Sequence, residues 1–278
     1  MKLIITGAGG FIAQNFLKFL VKKNKIKIKA FLRKKKKVFK HKNIKYVIKK
    51  IEHINEKDLT GYSSLFHFAS TGAKNYYQNK SFFNEFNKTY NVNVIDTISL
   101  IRRCVKIGIK NFVVPGTCFE YGLEGEKKKK LSKNSSLKPK GYYSISKASL
   151  FLHLKHLAKE YSGLKILYLR YFQVYGDGEQ LPRLWPQLKF NAKNNFNFTV
   201  ENGNLIRDFI SVERVCKLTW NKFKNNKKNG ISVHNIGTGK GTAIKNFALK
   251  WWKIFKGKKK LKILNKKTEH ISYLVAKI

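Results

Sequence analysis

Thr6-Gly7-Ala8-Gly9-Gly10-Phe11-Ile12-Ala13 follows the apolar run Lys2 to Thr6 and leads into the amphipathic segment Phe11 to Val21, after which Ile26 to Leu32 reads as a second strand. Strand, glycine turn, helix and strand make a βαβ unit, and Gly7, Gly10 and Ala13 stand at the spacing of a dinucleotide fingerprint. The first glycine permits the tight turn, and the second lets backbone approach a pyrophosphate at the helix N-terminus. The small third residue lets helix and strand pack closely. An ordinary turn is the alternative for the glycine pattern taken alone.

Working outward, further strands are expected at Ile44 to Ile48, Ser64 to Phe68, Asn111 to Val114 and Lys165 to Tyr171, with helical patterns at about Asn84 to Ile107 and Ser144 to Tyr161. Strands alternating with helices predict an α/β fold, a doubly wound parallel sheet of the Rossmann kind covered on both faces. From about Phe172 the alternation weakens, Leu181-Pro182-Arg183-Leu184-Trp185-Pro186 appears and aromatics cluster. The expected layout is a dinucleotide-binding domain over 1–171, with 207–240 returning to it, and a small C-terminal substrate-binding lobe from 172–206 and 241–278.

The 278 residues carry 59 Lys+Arg against 15 Asp+Glu, a formal charge of +44, yet 42% are hydrophobic, so the charge is worn on a folded body rather than a disordered one. Such an excess suits an anionic partner: nucleic acid, an anionic membrane surface or a phosphorylated ligand. Only seven of the basic residues are Arg, whereas base-edge and bidentate phosphate recognition favours the Arg fork, so no nucleic-acid partner is expected. Lys accompanied by much Asn, Ile and Phe is also the composition that an AT-rich genome produces. Cys104, Cys118 and Cys216 have no paired spacing, no signal peptide is read at the N-terminus and no apolar run approaches a membrane span. A cytoplasmic location follows, with any membrane association peripheral.

Two places carry candidate chemistry. At the end of the second strand, Ala30-Phe31-Leu32-Arg33-Lys34 offers a cation where a carboxylate would accept ribose hydroxyls, which leans toward NADP(H) over NAD(H); the alternative is that Arg33 merely begins a lysine-rich loop. Tyr143-Ser144-Ile145-Ser146-Lys147 puts a phenol and an ammonium four residues apart on one helix face. At about 4 Å and an effective dielectric of about 20, an ammonium favours a phenolate by on the order of 4 kcal/mol, roughly three pKa units.

With these pieces in order, the chain resembles the extended short-chain dehydrogenase/reductases, the NAD(P)-dependent nucleotide-sugar epimerase, dehydratase and reductase group. The resemblance rests on Thr6 to Ala13, His67-Phe68-Ala69-Ser70, Asn93-Val94-Ile95-Asp96-Thr97, Thr117-Cys118-Phe119-Glu120-Tyr121-Gly122 and Tyr143 to Lys147. It continues through Arg170-Tyr171-Phe172-Gln173-Val174-Tyr175-Gly176, Arg207-Asp208-Phe209-Ile210 and Asn235-Ile236-Gly237-Thr238-Gly239. Carried over, it implies that Thr117 hydrogen-bonds the sugar oxygen that is oxidised or reduced, that Tyr143 exchanges its proton and that Lys147 lowers the tyrosine pKa and holds the nicotinamide ribose. It implies a cofactor set of Gly7, Gly10, Phe11, Ile12, Arg33, Ala69, Asn93, Tyr143 and Lys147. The implied substrate set is Ser70, Thr117, Gln173 and Arg207, a salt bridge to Asp208 being the alternative use of Arg207.

Departures narrow the reading. Cys118 and Phe119 stand where dehydratases of the group carry Asp-Glu, which disfavours a 4,6-dehydratase; Gln173 replaces the usual Asn, and the short C-terminal portion implies a trimmed sugar-binding lobe. No metal site is expected: His153 and His156 lack a third ligand nearby and read as surface residues, and Cys118 reads as a buried thiol. Trp185, Trp251 and Trp252 are read as lining a ligand cleft or packing the small lobe. The resemblance points to NADP(H)-dependent reduction of a 4-keto-6-deoxy nucleotide sugar, similar to ketoreductases of the CDP-abequose synthase kind, as used in lipopolysaccharide or polysaccharide biosynthesis. The alternatives are an NAD-dependent 4-epimerase and, from another class, a non-catalytic RNA-binding member of the fold. A homodimer is expected, with Ile145, Leu150, Phe151, Leu154 and Leu157 either forming its interface or facing the sheet.

Overall fold

Leu3, Ile4 and Ile5 are all fully buried, so β1 (Lys2–Thr6) has no solvent face, the condition of a parallel strand covered on both sides. In a computed structural model describing residues 1–23, 25–72, 82–265 and 270–278 (backbone only for 82–85), helix α1 (Phe11–Leu20) buries Ala13, Phe16, Leu17 and Leu20. Their i, i+3, i+4, i+7 spacing turns one stripe toward the sheet. Strands β2 (Lys27–Leu32) and β3 (Ile44–Ile48) follow; the one-turn helix α2 (Glu56–Leu59), capped by Asn55 and Asp58, leads to β4 (Ser64–His67). Next come α3 (Phe82–Tyr90), a π-helical turn at Asn91–Ile95, α4 (Asp96–Lys106) and β5 (Asn111–Thr117). A short α5 (Glu124–Lys127) precedes the long α6 (Tyr142–Glu160) and β6 (Lys165–Tyr171).

The remainder is more broken. Strands β7 (Gln173–Tyr175), β8 (Phe198–Val200), β9 (Ile206–Arg207) and β10 (Phe209–Ser211) are short, with α7 (Leu184–Lys193) after β7 and α8 (Val212–Asn225) after β10. Strand β11 (Gly230–Ile236) runs parallel beside β6, and β12 (Thr242–Ala243), α9 (Ile244–Ile254), β13 (Leu261–Ile263) and β14 (Tyr273–Leu274) complete the chain. The main sheet has seven parallel strands in the order β11-β6-β5-β4-β1-β2-β3, a doubly wound sheet whose order reverses between β1 and β4. Its two faces carry separate cores: Leu3, Ile5, Phe16 and Val215 on the α1 and α8 side, Ile4, Leu100, Leu150 and Leu154 on the α4 and α6 side. Leu150, Leu154 and Leu157 are therefore spent on the sheet, not on a dimer face.

Strand β5 outruns its sequence expectation by three residues. Pro115 and Gly116 look like breakers, but β4 pairs with β5 only as far as Val113, so the extension runs along β6 alone, with Thr117 opposite Tyr171. Gly116 is required there: a Cβ would overlap the Glu120 carboxylate and come within 2.7 Å of the Tyr168 ring. Thr117 is thereby delivered to the C-terminal edge of the sheet. Trp185, Trp251 and Trp252 pack with Leu188, Phe198 and Phe247 in a separate hydrophobic cluster, so the tryptophans build a core.

Candidate active site

The glycine turn is held from three sides. Gly7 has φ +63°, and a Cβ there would overlap the backbone of Phe68 and Ala69 beyond β4. The Ala8 N–H donates to Phe31 O (3.1 Å) and the Gly10 N–H to Gly7 O (2.9 Å). Gly10 caps α1 without a side chain, leaving the helix N-terminus a bare cluster of backbone donors beside the switch point. Phe11 and Ile12, half-buried, open that helix. Arg33 is exposed directly beyond β2, and the Lys36 ammonium bends back to donate to Gly9 O at 2.8 Å. Two cations thus stand at the β2 end of the cleft.

At the other end, β4, β5 and α6 converge. Asn93 is buried and its amide is fully engaged: Oδ1 accepts from Ser70 Oγ (3.1 Å) and the Thr71 N–H (2.9 Å), while Nδ2 donates to Thr71 O and Ser146 Oγ, both 3.0 Å. Its role is therefore to tie the β4 loop to α6. Ser70 also acts on the Tyr143 phenol, favouring its ionised form against the larger effect of burial. Behind this lies His67, fully buried between Thr6 Oγ1 (2.8 Å to Nδ1) and Thr97 Oγ1 (2.9 Å to Nε2). The Thr97 hydroxyl has already given its hydrogen to Val92 O, so His67 Nε2 must be the donor and Nδ1 the acceptor.

Burial, reinforced by the Lys147 charge, holds His67 neutral with a pKa lowered to about 3. The folded value lies below the unfolded one of about 6.5, so its contribution is complete above pH 6.5 and drains away as pH falls toward 3. The pH slope of unfolding free energy, measured by urea titration between pH 6.5 and 4, is expected to lose about 1.4 kcal/mol per pH unit in His67→Gln; an unchanged slope would refute the neutral His67.

Thr117 is nearly buried, its N–H donating to Glu120 Oε1 (2.7 Å) and its Oγ1 accepting from the Phe119 N–H (3.3 Å). Glu120 is fully buried and also takes Tyr168 OH on Oε1 (2.8 Å) and Arg170 Nε on Oε2 (2.7 Å). Tyr168 OH reaches Lys147 O as well (3.0 Å), so one carboxylate braces Thr117 against the first turns of α6. Lys147 is 3% exposed, and burial pulls it down to about 8 against the opposing charge of Glu120. Tyr143 moves the other way from the sequence-based estimate: burial pushes the phenol up to about 12, and the cation first in opposing this is Arg183 rather than Lys147. Both groups of the pair sit in low dielectric, which penalises phenolate and ammonium alike.

Arg207 does not pair with Asp208. Its Nη1 donates to Ile206 O (2.8 Å) and Ser272 O (3.3 Å), while Asp208 accepts from the N–H groups of Thr238, Gly239 and Ala276 and from Thr238 Oγ1. Its charge is felt by Cys118, next to Thr117. Cys118 is buried and its thiol is pushed up to about 12, an inert group. Gln173, half-buried, opens β7, where its N–H donates to Asp208 O. His153 and His156 are exposed on α6.

Residues 3–237 match the model of the NAD dependent epimerase/dehydratase family. The chain belongs to this family. An epimerase/dehydratase relative from Bacillus subtilis, named as an uncharacterized UDP-glucose epimerase, is 32% identical over 205 residues, 69% of this chain and 60% of the relative. A GDP-6-deoxy-D-talose 4-dehydrogenase from Aggregatibacter actinomycetemcomitans is 32% identical over 162 residues, 56% of this chain and 51% of that protein. The chain thus spans between half and two thirds of the length of these relatives. The crystal structure of a UDP-glucose 4-epimerase from Thermotoga maritima, with UDP-glucose, superposes with a TM-score of 0.86 at 22% identity over all of this chain and 90% of that one, a likeness of fold.

This epimerase/dehydratase chain also holds residues near the candidate site that no local sequence signal announces. Glu120 and Arg170 lie 50 positions apart, so no local spacing announces their pairing. Glu179, on the loop after β7, has a buried Oε2 with no hydrogen-bond partner among the described residues, and burial raises its pKa to about 8 against Arg183. That loop lies over α1, with Asn15 Nδ2 donating to Asp177 O (2.9 Å). Lys36 sits in a lysine run where one member looks like another.

The dinucleotide that the family's name implies fits the turn: Gly7 admits no side chain, Gly10 adds none, and the N-terminus of α1 offers unblocked N–H groups for a pyrophosphate.

Proposed function

We propose that this protein is an NADP(H)-dependent reductase of a 4-keto-6-deoxy nucleotide sugar, acting with Thr117, Tyr143 and Lys147. The observation that carries the reading is the convergence of Thr117, on the end of β5, with Tyr143 and Lys147, on α6, at the C-terminal edge of the sheet beside the glycine turn. When bound, the dinucleotide supplies or accepts hydride; the side chains do the rest. Thr117, its backbone fixed by Glu120, is the hydroxyl that orients the sugar C4 oxygen. Tyr143 is the proton source for that oxygen, and a phenol raised to about 12 in the free protein is in the protonated state that reduction requires. Lys147, buried beside it, holds the nicotinamide ribose. Gly7, Gly10, Phe11, Ile12 and Ala69 form the bed for the dinucleotide, and Asn93 sets the position of Ser70 and α6 around it. Ser70, Gln173 and Arg207 are the contacts for the nucleotide sugar, Arg207 facing its diphosphate.

Arg33 and Lys36 support the NADP(H) preference, since a 2′-phosphate at the β2 end would meet two cations and no carboxylate directly after the strand. Changing both to Ala is expected to weaken NADPH binding at least about tenfold, the loss of one charge-assisted contact, while NADH binding changes little. An equal loss for both dinucleotides would remove this assignment.

The 4-epimerase reading uses the same residues and is favoured by the names of the Bacillus and Thermotoga proteins. Cofactor consumption separates the two: a reductase consumes NADPH stoichiometrically with product, whereas an epimerase retains NAD and consumes none. The inert Cys118 and the apolar Phe119 argue against a dehydratase, which needs ionisable groups there. A homodimer built on α4 and α6 would use their outward residues, where Ile95 just before α4 and Leu152 are exposed.

A further inference from the structure

Arg170, paired with Glu120, also lines a cavity of about 380 Å³ that includes none of Thr117, Tyr143 and Lys147. That is many times the roughly 10–15 Å³ needed by one water. Its walls are the loop Lys133, Asn134, Ser135 and Leu137, the residues Phe151 and Lys155 of α6, Arg170 of β6, and Ile231 and Val233 of the edge strand β11. Among the described residues, no Asp or Glu lines it.

Arg170 is the unusual member. It is 1% exposed, with its guanidinium carbon 4.6 Å from the centre of the Phe151 ring and 4.9 Å from that of Tyr121. Nε is taken by Glu120, and Nη1 by Tyr121 OH (3.3 Å) and Lys133 O (3.2 Å). Nη2 is buried and has no hydrogen-bond partner among the described residues. A buried guanidinium nitrogen left without an acceptor is costly unless something supplies one. Glu120 balances the Arg170 charge, so Lys133 and Lys155 remain as a surplus of two positive charges around the cavity. The potential is felt nearby: burial, with the Lys222 and Lys133 charges adding to it, lowers His234 on β11 to about 4.

We propose that this cavity is a second anion site, taking an inorganic phosphate or the phosphate of a small phosphomonoester. Arg170 Nη2 and the Ser135 hydroxyl are its donors and the two ammonium groups its counter-charge. The occupant would sit on a guanidinium that Glu120 links to the Thr117 backbone, two hydrogen bonds away from the sugar end of the cleft.

The test is calorimetric titration of inorganic phosphate into the protein with its cleft saturated by NADP⁺, which keeps phosphate from the pyrophosphate bed. Wild type is expected to bind, and Lys133→Ala/Lys155→Ala to bind at least about tenfold more weakly, as expected for lost charge-assisted contacts. Both lysines reach solvent, so the double variant keeps the fold, which an unchanged NADP⁺ affinity verifies. Competition by glucose 1-phosphate that is tighter than by phosphate identifies the ester as occupant; weaker competition identifies the free ion. Equal phosphate affinity in the two proteins, or binding in neither, overturns the site.

Discussion

Tyr143→Phe is expected to lower turnover by about 10²–10⁴-fold, the contribution of a positioned proton donor, while leaving dinucleotide binding nearly intact. The ring remains, and only the hydroxyl that Ser70 meets is removed. The effect must fall on kcat, because the proton is delivered to the sugar oxygen in the transition state and not when the substrate binds. The direction of catalysis matters as well. With the phenol raised to about 12 by burial, the free protein offers a proton donor across the neutral range, the state that reduction rather than oxidation requires. A Tyr143→Phe protein with wild-type kcat would remove Tyr143 from the chemistry.

Glu120→Ala should be the most damaging change to stability. It strips Arg170 of the one carboxylate that pairs with it among the described residues, leaves Tyr168 OH with Lys147 O and frees the Thr117 N–H, all in a fully buried environment. Breaking a buried ion pair from one side costs about 3–5 kcal/mol. For a chain of this size, a loss of that magnitude lowers the melting temperature by on the order of 10 °C. Glu120→Gln is only a partial remedy. The carboxylate accepts on both oxygens, from Thr117 and Tyr168 on one and from Arg170 on the other, whereas an amide turns one of them into a donor facing a donor. Pairing it with Arg170→Met should recover part of the loss, since no charge is then left unpaired. Melting of Glu120→Ala at the wild-type temperature would show that the brace behind Thr117 carries no stability.

The parts of this molecule that could be read from the chain are those whose signals are local. The βαβ opening, the strand runs through β6 and the Tyr143 to Lys147 spacing all lie within one or two elements. Strand β5 reads short in sequence because Pro115 and Gly116 resemble a stop. What permits them, a strand unpaired on the β4 side and a Glu120 carboxylate where a Cβ would be, comes from distant segments. Strands β7 to β10 and β12 to β14 have two or three residues each, too few for alternation to register, and they exist through long-range pairs such as Arg207 with Thr242 and Leu274.

The candidate site divides in the same way. Thr117, Tyr143 and Lys147 follow a pattern, but Glu120 and Arg170 acquire meaning only when β5 and β6 bring them together. The Tyr143 phenol departs from the sequence expectation because Coulomb attraction depends on spacing, which the sequence contains, and desolvation depends on burial, which it does not. The charge of +44 follows this logic too: most lysines are exposed, and the cations that matter are those beside Gly9, on α6 and on β9.

If hydride and proton are added across a sugar C4 carbonyl beside Tyr143, incubating the protein with a 4-keto-6-deoxy nucleotide sugar and NADPH deuterated at C4 of the nicotinamide will place the label in the product. Deuterium is expected on C4 of the sugar with one NADP⁺ formed per product molecule. Interconversion of nucleotide sugars with no NADPH consumed and no label on C4 would contradict it.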